Sequence, residues 1–445
     1  MKRTMAKVRL RGDRVIWFIV AIFAMISVLA VFSAGSFLDK TSDMMGKTKV
    51  YMEQFGSVAM GFAALFVCYA IPYNFYRKVS PVFFGITVLM LIMLYIPGFQ
   101  DLRNGAVRGI KIGSHTLQVF EFVKVGLVMY LSWALDRFGG SLGTFKDFFL
   151  KLLVWVLLVC LLVVGNSFST TLLLGVISML MFFFMEVKWS HLGITVGGAV
   201  ACVALLFGIY HLVIKIDPDN DFTVFNRLGT VEKRIERFAS KGDDTTVDLT
   251  KMSKEEYAKM LDEERQSENA KIAIHEGRIF GKGMGNGTAR YSLSMAFSDF
   301  IFASIVEETG FIGGALIILL YLVFLFRCIS LSFRCPDTYS QALVLGLAFL
   351  LVTQAFLHIL VNVRLLPITG HTLPLISHGG TAYLVLSGAF GIILSVSRAV
   401  AKMEQEKKDA EAAQQAEIEA AEKDPRLMEQ EEIQLSIDDD ETDNN

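Results

Sequence analysis

The chain has 445 residues, of which 53% are hydrophobic, and its mean hydropathy of +0.50 excludes an ordinary soluble globular protein. The formal net charge of −2 points to no class of partner, and nothing in the sequence predicts nucleic-acid binding. The five cysteines are odd in number and lack metal-type spacing, which excludes a disulfide framework and a cysteine metal site.

Long apolar runs predict an all-α polytopic membrane protein. The first run, residues 15–38, exceeds the roughly 20 residues that span a bilayer, and no signal-peptide cleavage site follows it. We therefore predict a retained first helix. Applied along the chain, the same criterion predicts about ten transmembrane helices, at 15–37, 54–75, 80–98, 118–136, 148–165, 168–186, 190–214, 300–326, 338–361 and 374–397.

The distribution of Lys and Arg orients these helices. Basic residues concentrate in the N-terminal segment 1–14 and in alternate short loops, so both termini are predicted to be cytoplasmic. The transmembrane domain then covers residues 15–400, with a large extracytoplasmic loop at 215–298 between helices 7 and 8. The acidic cytoplasmic tail, 401–445, is predicted to be disordered beyond a short Ala/Glu/Gln-rich helix.

Several charged residues fall inside or beside the apolar runs, where each costs about 2.5–3.5 kcal/mol on insertion scales. Glu121 and Lys124 are three apart, on one helix face, and either form a structural ion pair or line a polar cavity. Arg108 and Lys111, in an outer loop, either hold an anionic group or belong to an ordinary interfacial surface.

The stretch SMAFSDFIFASIVEETG brings three carboxylates to the start of the eighth span. The topology places Asp299 at the outer rim, where it either meets a substrate arriving from the lipid or, with Ser298, caps the helix that follows. Glu307 and Glu308 lie about two turns deeper and are predicted to pair with a buried cation or backbone.

Two glycine-containing motifs complete the set of candidates. FGKGMGNG does not fit the phosphate-binding pattern and follows no strand, so it predicts a flexible turn. In LPLISHGGTAYL, the run Ser377, His378, Gly379 and Gly380 predicts close packing or a ligand contact, and a satisfied structural role is favoured for the imidazole.

Together these pieces resemble the shape, elongation, division and sporulation (SEDS) family, typified by RodA and FtsW. The motifs that carry the resemblance are NGAVRGIKIGSHTLQVFEFVK, GRIFGKGMGNG, SDFIFASIVEETG and LPITGHTLPLISHGG. They occur in the family's order and cover about residues 15–400. The opening of the first span and SDFIF look most similar to division-type members of the Bacteroidota.

The resemblance implies a ten-helix peptidoglycan polymerase that joins lipid II units outside the cytoplasmic membrane. It implies a class B penicillin-binding protein as transpeptidase partner, together with other membrane proteins of division and membrane lipid. No cofactor is expected, and a divalent cation is left open. We expect a multi-pass inner-membrane protein whose active site faces the periplasm.

The resemblance also assigns roles to residues. Asp299 matches the family's essential acid, Glu121 and Lys124 match its fourth-helix pair, and Arg108 matches its loop arginine. Glu307 and Glu308 become structural supports, and no metal ligands are predicted. The predicted substrate-binding residues are Arg108, Lys111, Gln118, Glu121, Lys124, Ser377, His378, Gly379 and Gly380.

The chain departs from the family pattern at several positions. Gly109 stands where a Trp is usual, which weakens any role for that position in substrate contact. Met295 stands where the family has a second acid, so the predicted mechanism uses Asp299 alone. NSFST replaces a common Pro-Asp-x-Gly-Thr, and His378 replaces a common Tyr.

Other functions compete with a polymerase of septal peptidoglycan. They are an elongation-type polymerase, a transporter of lipid-linked precursors, a non-catalytic scaffold of the division machinery, and a polymerase or ligase of another lipid-linked glycan. A transporter would call for internal repeats with broken midplane helices, and no clear repeat is visible in the sequence. A scaffold should tolerate replacement of Asp299.

Overall fold

The computed structural model describes residues 12–35, 44–96, 100–103, 106–112, 115–216, 254–288, 293 and 298–422. The chain forms a large compact unit, Arg14–Val396, and a terminal unit that combines Met1–Asp13 with Ser397–Asn445. Within the terminal unit, the backbone N–H of Asp13 donates to Ser397 Oγ at 2.7 Å.

Helices account for most of the described residues and lie over all of the predicted spans. In chain order they are α1 (Arg14–Gly35), α2 (Met44–Ala70), α3 (Tyr73–Met93), α4 (Val119–Phe138), α5 (Phe145–Val164), α6 (Phe168–Phe184), α7 (Trp189–Ile216), α8 (Lys254–Gly277), α9 (Ile301–Ser332), α10 (Thr338–Asn362) and α11 (Gly380–Glu422). α5 contains one π-helical turn, Phe149–Leu153.

Five of the described helical segments are long and apolar enough to cross a membrane by length and composition. They are Tyr73–Met93, Phe145–Val164, Ile301–Ser332, Thr338–Asn362 and Gly380–Ala416. Four shorter apolar segments accompany them: Arg14–Ala30, Phe55–Ala70, Phe168–Phe184 and Trp189–Leu205.

Helix α4 belongs to neither group, because it carries charged residues in a mostly buried helix. Charges inside a membrane domain are tolerated when they face other helices. α4 packs against α3 and α10, and α10 in turn packs against α6 and α9. The charged helix is therefore an interior element of the bundle.

A three-stranded antiparallel sheet corrects the all-α prediction. Its strands, β1 (Gln100–Arg103), β2 (Ala106–Ile112) and β3 (His115–Leu117), lie in the order β1-β2-β3 just before α4. The register pairs Asp101 with Gly109 and Lys111 with Thr116, and a bulge follows Asp101. The segment predicted as an outer loop is thus a β-ribbon leading into α4.

Two other polar segments contain long helices. The predicted loop 215–298 includes the 24-residue α8, which packs against α9 through a small apolar cluster formed by Ala270, Ala273, Leu293, Phe300 and Ala303. Small residues on α8 let the two backbones approach closely, since a Cβ on Gly277 would lie 2.2 Å from the Val306 carbonyl oxygen. In the tail, α11 continues to Glu422, while 423–445 fall outside the described residues.

Candidate active site

Asp299 lies on a turn, residues 298–300, that immediately precedes α9. The helix N-cap is Phe300, which makes no side-chain cap bond, so the alternative that Ser298 and Asp299 cap the helix is wrong. Instead Ser298 Oγ donates to Asp299 Oδ1 at 2.9 Å. Among the described residues, this is the single hydrogen bond to the Asp299 carboxylate, which leaves most of its acceptor capacity open.

Two buried side chains hold the backbone of this Asp299 turn. Ser377 Oγ donates to the Ser298 carbonyl at 2.9 Å and accepts from the Leu373 N–H at 2.8 Å. Asn362 Nδ2 donates to the Asp299 carbonyl at 3.1 Å. Ser377 was predicted to bind substrate, but its hydroxyl bonds backbone groups that position the turn.

The predicted pairing of Glu121 and Lys124 is confirmed. Lys124 Nζ lies 2.7 Å from Glu121 Oε1 and donates to Gln354 Oε1 at 2.5 Å. Gln354 Nε2 continues the chain to the Thr372 carbonyl at 3.0 Å, so α4 and α10 are joined to the segment before α11. Glu121 Oε2 is buried and has no hydrogen-bond partner among the described residues, which leaves an acceptor for a bound group.

Sequence reasoning missed a polar stripe on α10. Gln354, His358 and Asn362 recur every four residues, which places them on one helix face. All three are buried, with exposures of 0%, 1% and 0%. The spacing of polar residues in an otherwise apolar helix was the signal available in the sequence.

His358 is oriented by backbone. Its Nδ1 lies 2.8 Å from the His371 carbonyl oxygen, and a carbonyl can only accept, so Nδ1 carries a proton. Its Nε2 is buried without a hydrogen-bond partner in the part of the chain that is described. His358 also receives a hydrogen bond on its own carbonyl, from Asn362 Nδ2 at 2.8 Å.

Helix α9 is broken at Gly310, which has φ 74° and ψ −172°. Residues 278–283 pass next to this break and form backbone hydrogen bonds with both sides of it. The carbonyls of Glu307 and Glu308 accept from the N–H groups of Lys282 (2.9 Å) and Gly283 (3.0 Å), while the Phe311 N–H donates to the Arg278 carbonyl (2.8 Å). FGKGMGNG, predicted as a flexible turn, therefore supplies the partners that a broken helix lacks.

The side chains of Glu307 and Glu308 hold the glycine loop, residues 281–288. Glu307 Oε1 accepts from Lys282 Nζ (2.7 Å) and from the Thr288 N–H (2.7 Å) and Oγ1 (2.8 Å). Glu308 Oε1 accepts from Ser33 Oγ of α1, which itself accepts from the Gly285 N–H at 3.1 Å. The predicted pairing with a cation or backbone holds for Glu307, whereas the Glu308 carboxylate bonds a serine hydroxyl instead.

Lys282 also bonds Glu276 at the end of α8. Partial burial alone would lower the pKa of Lys282, but hydrogen bonds and charge from Glu276 and Glu307 outweigh it and raise that pKa. The hydrogen bond and charge of Lys282 lower the pKa of Glu276. The loop, α8 and α9 are thus linked through one ammonium group.

The remaining predicted residues lie around the sheet and the start of α11. Arg108 and Lys111 are both in β2, and their side chains lie outside the described part of the structure. Gly109 fills a tight position, because a Cβ there would lie 2.5 Å from the Leu117 carbonyl oxygen. A larger side chain at this position would require β3 to move away. Met295 is not among the described residues.

Gln118 directly precedes α4 and makes no side-chain cap bond there. At α11, the Gly379 carbonyl accepts from the Tyr383 N–H at 2.7 Å, and Gly380 begins the helix. His378 is partly exposed. Thr381 Oγ1 donates to the Thr116 carbonyl at 3.0 Å, which ties the HGGT segment to β3.

The turn GNSFST shows how a departure from the family pattern is accommodated. Ser167 caps α6 by accepting from the Thr170 N–H at 3.3 Å, a bond that an Asp at the same position would also make. Ser169 Oγ donates to the Thr369 carbonyl at 3.3 Å. Across the described residues, no group of three His, Cys, Asp or Glu side chains is placed to hold a metal ion.

Comparison with known proteins places this geometry in a family. The chain matches the FtsW/RodA/SpoVE family model, described as "Cell cycle protein", over residues 13–402. A "Probable peptidoglycan glycosyltransferase FtsW" of Geobacter sp. (strain M18) is 29% identical over 342 residues, 76% of this chain and 84% of that protein. "Stage V sporulation protein E" of Bacillus subtilis (strain 168) is 27% identical over 348 residues, with the same two coverages of 76% and 84%.

Solved structures share the fold. A chain in "Structural coordination of polymerization and crosslinking by a peptidoglycan synthase complex" has a TM-score of 0.63 and 19% identity, over 87% of this chain and 98% of that one. RodA of Thermus thermophilus has a TM-score of 0.57 and 20% identity, over 87% and 97%. Because the family model spans most of its length, the chain belongs to the FtsW/RodA/SpoVE family.

Proposed function

We propose that this protein is a peptidoglycan glycosyltransferase that polymerises lipid II on the outer face of the cytoplasmic membrane, for septal synthesis in division. The names of its FtsW relatives support the reaction and the septal role. The single observation that carries the site assignment is the Asp299 turn. It presents a carboxylate with open acceptor positions, on a backbone fixed by Ser377 and Asn362.

The reaction needs one base. A sugar hydroxyl of the acceptor attacks the anomeric carbon of the donor, the bond from that carbon to the lipid pyrophosphate breaks, and the hydroxyl proton passes to Asp299. Pyrophosphate can leave without a proton when cations hold its charge. This differs from glycoside hydrolysis, where an alcohol leaves and a second carboxyl group protonates it.

Cations for the pyrophosphate are assigned to Arg108 and Lys111 of β2 and to the buried Lys124. Phosphate oxygens suit guanidinium and ammonium donors. Glu121 fixes Lys124 and, through its open Oε2, accepts a hydrogen bond from the substrate. The other residues proposed to contact substrate are Gln118, His378, Gly379 and Gly380.

The proposal includes a membrane topology. Ten helices, α1–α7 and α9–α11, cross the inner membrane with both termini in the cytoplasm, and the ribbon, α8 and the glycine loop face the periplasm. Reporter fusions within α8 and after residue 422 should give opposite signals. Equal signals at the two positions would contradict the topology.

A class B penicillin-binding protein is the proposed partner, together with other membrane proteins of division. The peptidoglycan synthase complex among the structural matches joins polymerization and crosslinking, which supports a transpeptidase partner. An elongation role would call for an elongation-type transpeptidase, so pull-down of division-type against elongation-type transpeptidases discriminates the two.

The deciding experiment measures glycan strands made from labelled lipid II by the purified protein, with and without the partner. Asp299→Asn should lower the rate by about 10²–10⁴-fold, the usual contribution of a general base. Asp262→Asn, on the exposed part of α8, is the matched control and should keep the wild-type rate. A wild-type rate for Asp299→Asn would remove the catalytic assignment. No product from the wild-type protein under any partner condition would favour a transporter or a scaffold.

A further inference from the structure

We propose that Asn362 is a positioning residue that sets the Asp299 carboxylate for proton transfer. This inference rests on the proposed function, in which Asp299 is the base. The observation that carries it is the set of bonds made by one buried amide at the end of α10: to the carbonyl of Asp299, to the N–H of Ala303 and to the carbonyl of His358.

The orientation of this amide is fixed by its partners. A carbonyl can only accept and an N–H can only donate, so Nδ2 must face Asp299 and His358, at 3.1 and 2.8 Å, and Oδ1 must face Ala303, at 3.0 Å. Asn362 is fully buried. Both ends of the amide are therefore in use, and it joins the last turn of α10 to the Asp299 turn and to the first turn of α9.

The backbone of Asp299 is held on both sides of the residue. The carbonyl of Ser298 is held by Ser377, and the carbonyl of Asp299 is held by Asn362, so two successive peptide units are fixed from two different elements. α10 is an almost entirely buried helix and gives Asn362 a rigid base. Loss of either bond frees one of these peptide units, and we expect the carboxylate to shift with it.

Loss of Asn362 should lower kcat, because it would displace the Asp299 carboxylate that accepts the proton. Asn362 itself bonds only backbone groups among the described residues, so we expect no direct effect on substrate binding. A misplacement of about 1 Å can cost about 10²-fold in rate. An alternative role is a simple cap for the Ala303 N–H. A cap needs only an acceptor, whereas positioning of Asp299 needs the Nδ2 donor.

Two substitutions separate these roles. Asn362→Leu removes both the acceptor for the Ala303 N–H and the donor to Asp299 without adding a charge, and Asn362→Asp keeps the acceptor and lacks the donor when its carboxyl group is ionised. Ser178→Ala is the matched control, since it removes a buried hydroxyl whose one hydrogen bond among the described residues goes to the Leu174 carbonyl of its own helix. For each variant, kcat and KM for labelled lipid II are measured together with the melting temperature in detergent.

We expect both Asn362 variants to lose about 10²-fold in kcat at an unchanged KM, with Ser178→Ala at the wild-type rate. A wild-type kcat for Asn362→Asp would reduce Asn362 to a cap and overturn the proposal, as would a wild-type kcat for Asn362→Leu. If neither variant folds, Ser377→Ala decides, because it frees the Ser298 carbonyl. A loss of kcat of up to about 10²-fold supports positioning, and a wild-type kcat refutes it. A wild-type rate for Asp299→Asn would instead remove the catalytic assignment of Asp299, on which this inference rests, and no product from the wild-type protein would overturn the proposed function.

Discussion

Residues 278–283 pass close to the break in α9 at Gly310. We therefore predict that Gly310→Ala lowers the free energy of unfolding. Gly310 has φ 74° and ψ −172°, a region that is open essentially only to glycine. A Cβ at this position would lie 2.2 Å from the Ile279 carbonyl oxygen and 2.4 Å from the Gly281 backbone nitrogen. Both neighbours are backbone, so the two segments must separate.

The cost can be worked from these contacts. Holding alanine in this conformation costs about 1–3 kcal/mol. Separation weakens the hydrogen bonds from the Phe311 N–H to Arg278 and from the Ile312 N–H to Ile279, at about 1 kcal/mol each. The free energy of unfolding should therefore fall by about 3–5 kcal/mol, from the sum of these terms.

The assay is the melting temperature of the purified protein in detergent, with the amount of folded protein in membranes as a second measure. Gly175→Ala is the matched control, because it lies in α6 with nothing within 4 Å of the added Cβ. It should be neutral or stabilising by up to about 1 kcal/mol, the difference in helix propensity between glycine and alanine. Equal melting temperatures for Gly310→Ala and Gly175→Ala would refute the close approach at Gly310 as a constraint.

Two further predictions concern the buried ion pair of Lys124 and the partly exposed ion pairs of Lys282. Lys124→Met should destabilise the fold by about 3–5 kcal/mol, because it leaves Glu121 buried and unpaired, and adding Glu121→Gln should recover much of this loss in the same melting assay. The raised pKa of Lys282 means that its ion pairs stabilise the protein below the ordinary value of 10.5 and that this contribution is lost as pH rises through the raised value. The lowered pKa of Glu276 means that its share is present above the ordinary value of 4.5 and is lost as pH falls through the lowered value. The difference in melting temperature between wild type and Lys282→Met should accordingly be largest between these limits, and a difference independent of pH would contradict the linkage.

Much of the helical architecture could be predicted from the sequence, because apolar length is a local property. The same holds for the pairing of Glu121 with Lys124, which depends only on helical spacing. The ribbon before α4 was missed although its signals are local: Asn104-Gly105 is a strong hairpin dipeptide, and AVRGIKI alternates between apolar and small or charged residues.

Other features could not be predicted because they depend on contacts between distant segments. Gly310 shows only as one glycine in an apolar run, and the need for it comes from Ile279 and Gly281, some 30 residues earlier. The sequence predicts a substrate contact for Ser377, because a hydroxyl near Gly379 and Gly380 suggests a ligand. In the structure its hydroxyl donates to the Ser298 carbonyl. In both cases the residue type was visible in the sequence, but the backbone group that it serves was not.

The two ends of the segment between Asp299 and Gly310 are held by different parts of the chain. At the start, Asn362 and Ser377 bond the Asp299 turn and the first turn of α9. At the end, the glycine loop takes the carbonyls of Glu307 and Glu308. The helical segment joins these two ends directly, with a rise of about 1.5 Å per residue, and we expect a displacement at one end to reach the other. The carboxylates that first appear together in SMAFSDFIFASIVEETG thus lie in separate surroundings: under the proposed function Asp299 meets the substrate, while Glu307 and Glu308 hold the far end of the segment. We expect the folded fraction of Gly310→Ala to have a lower kcat than the wild-type protein. That result would show that the glycine-loop end of the segment is coupled to Asp299.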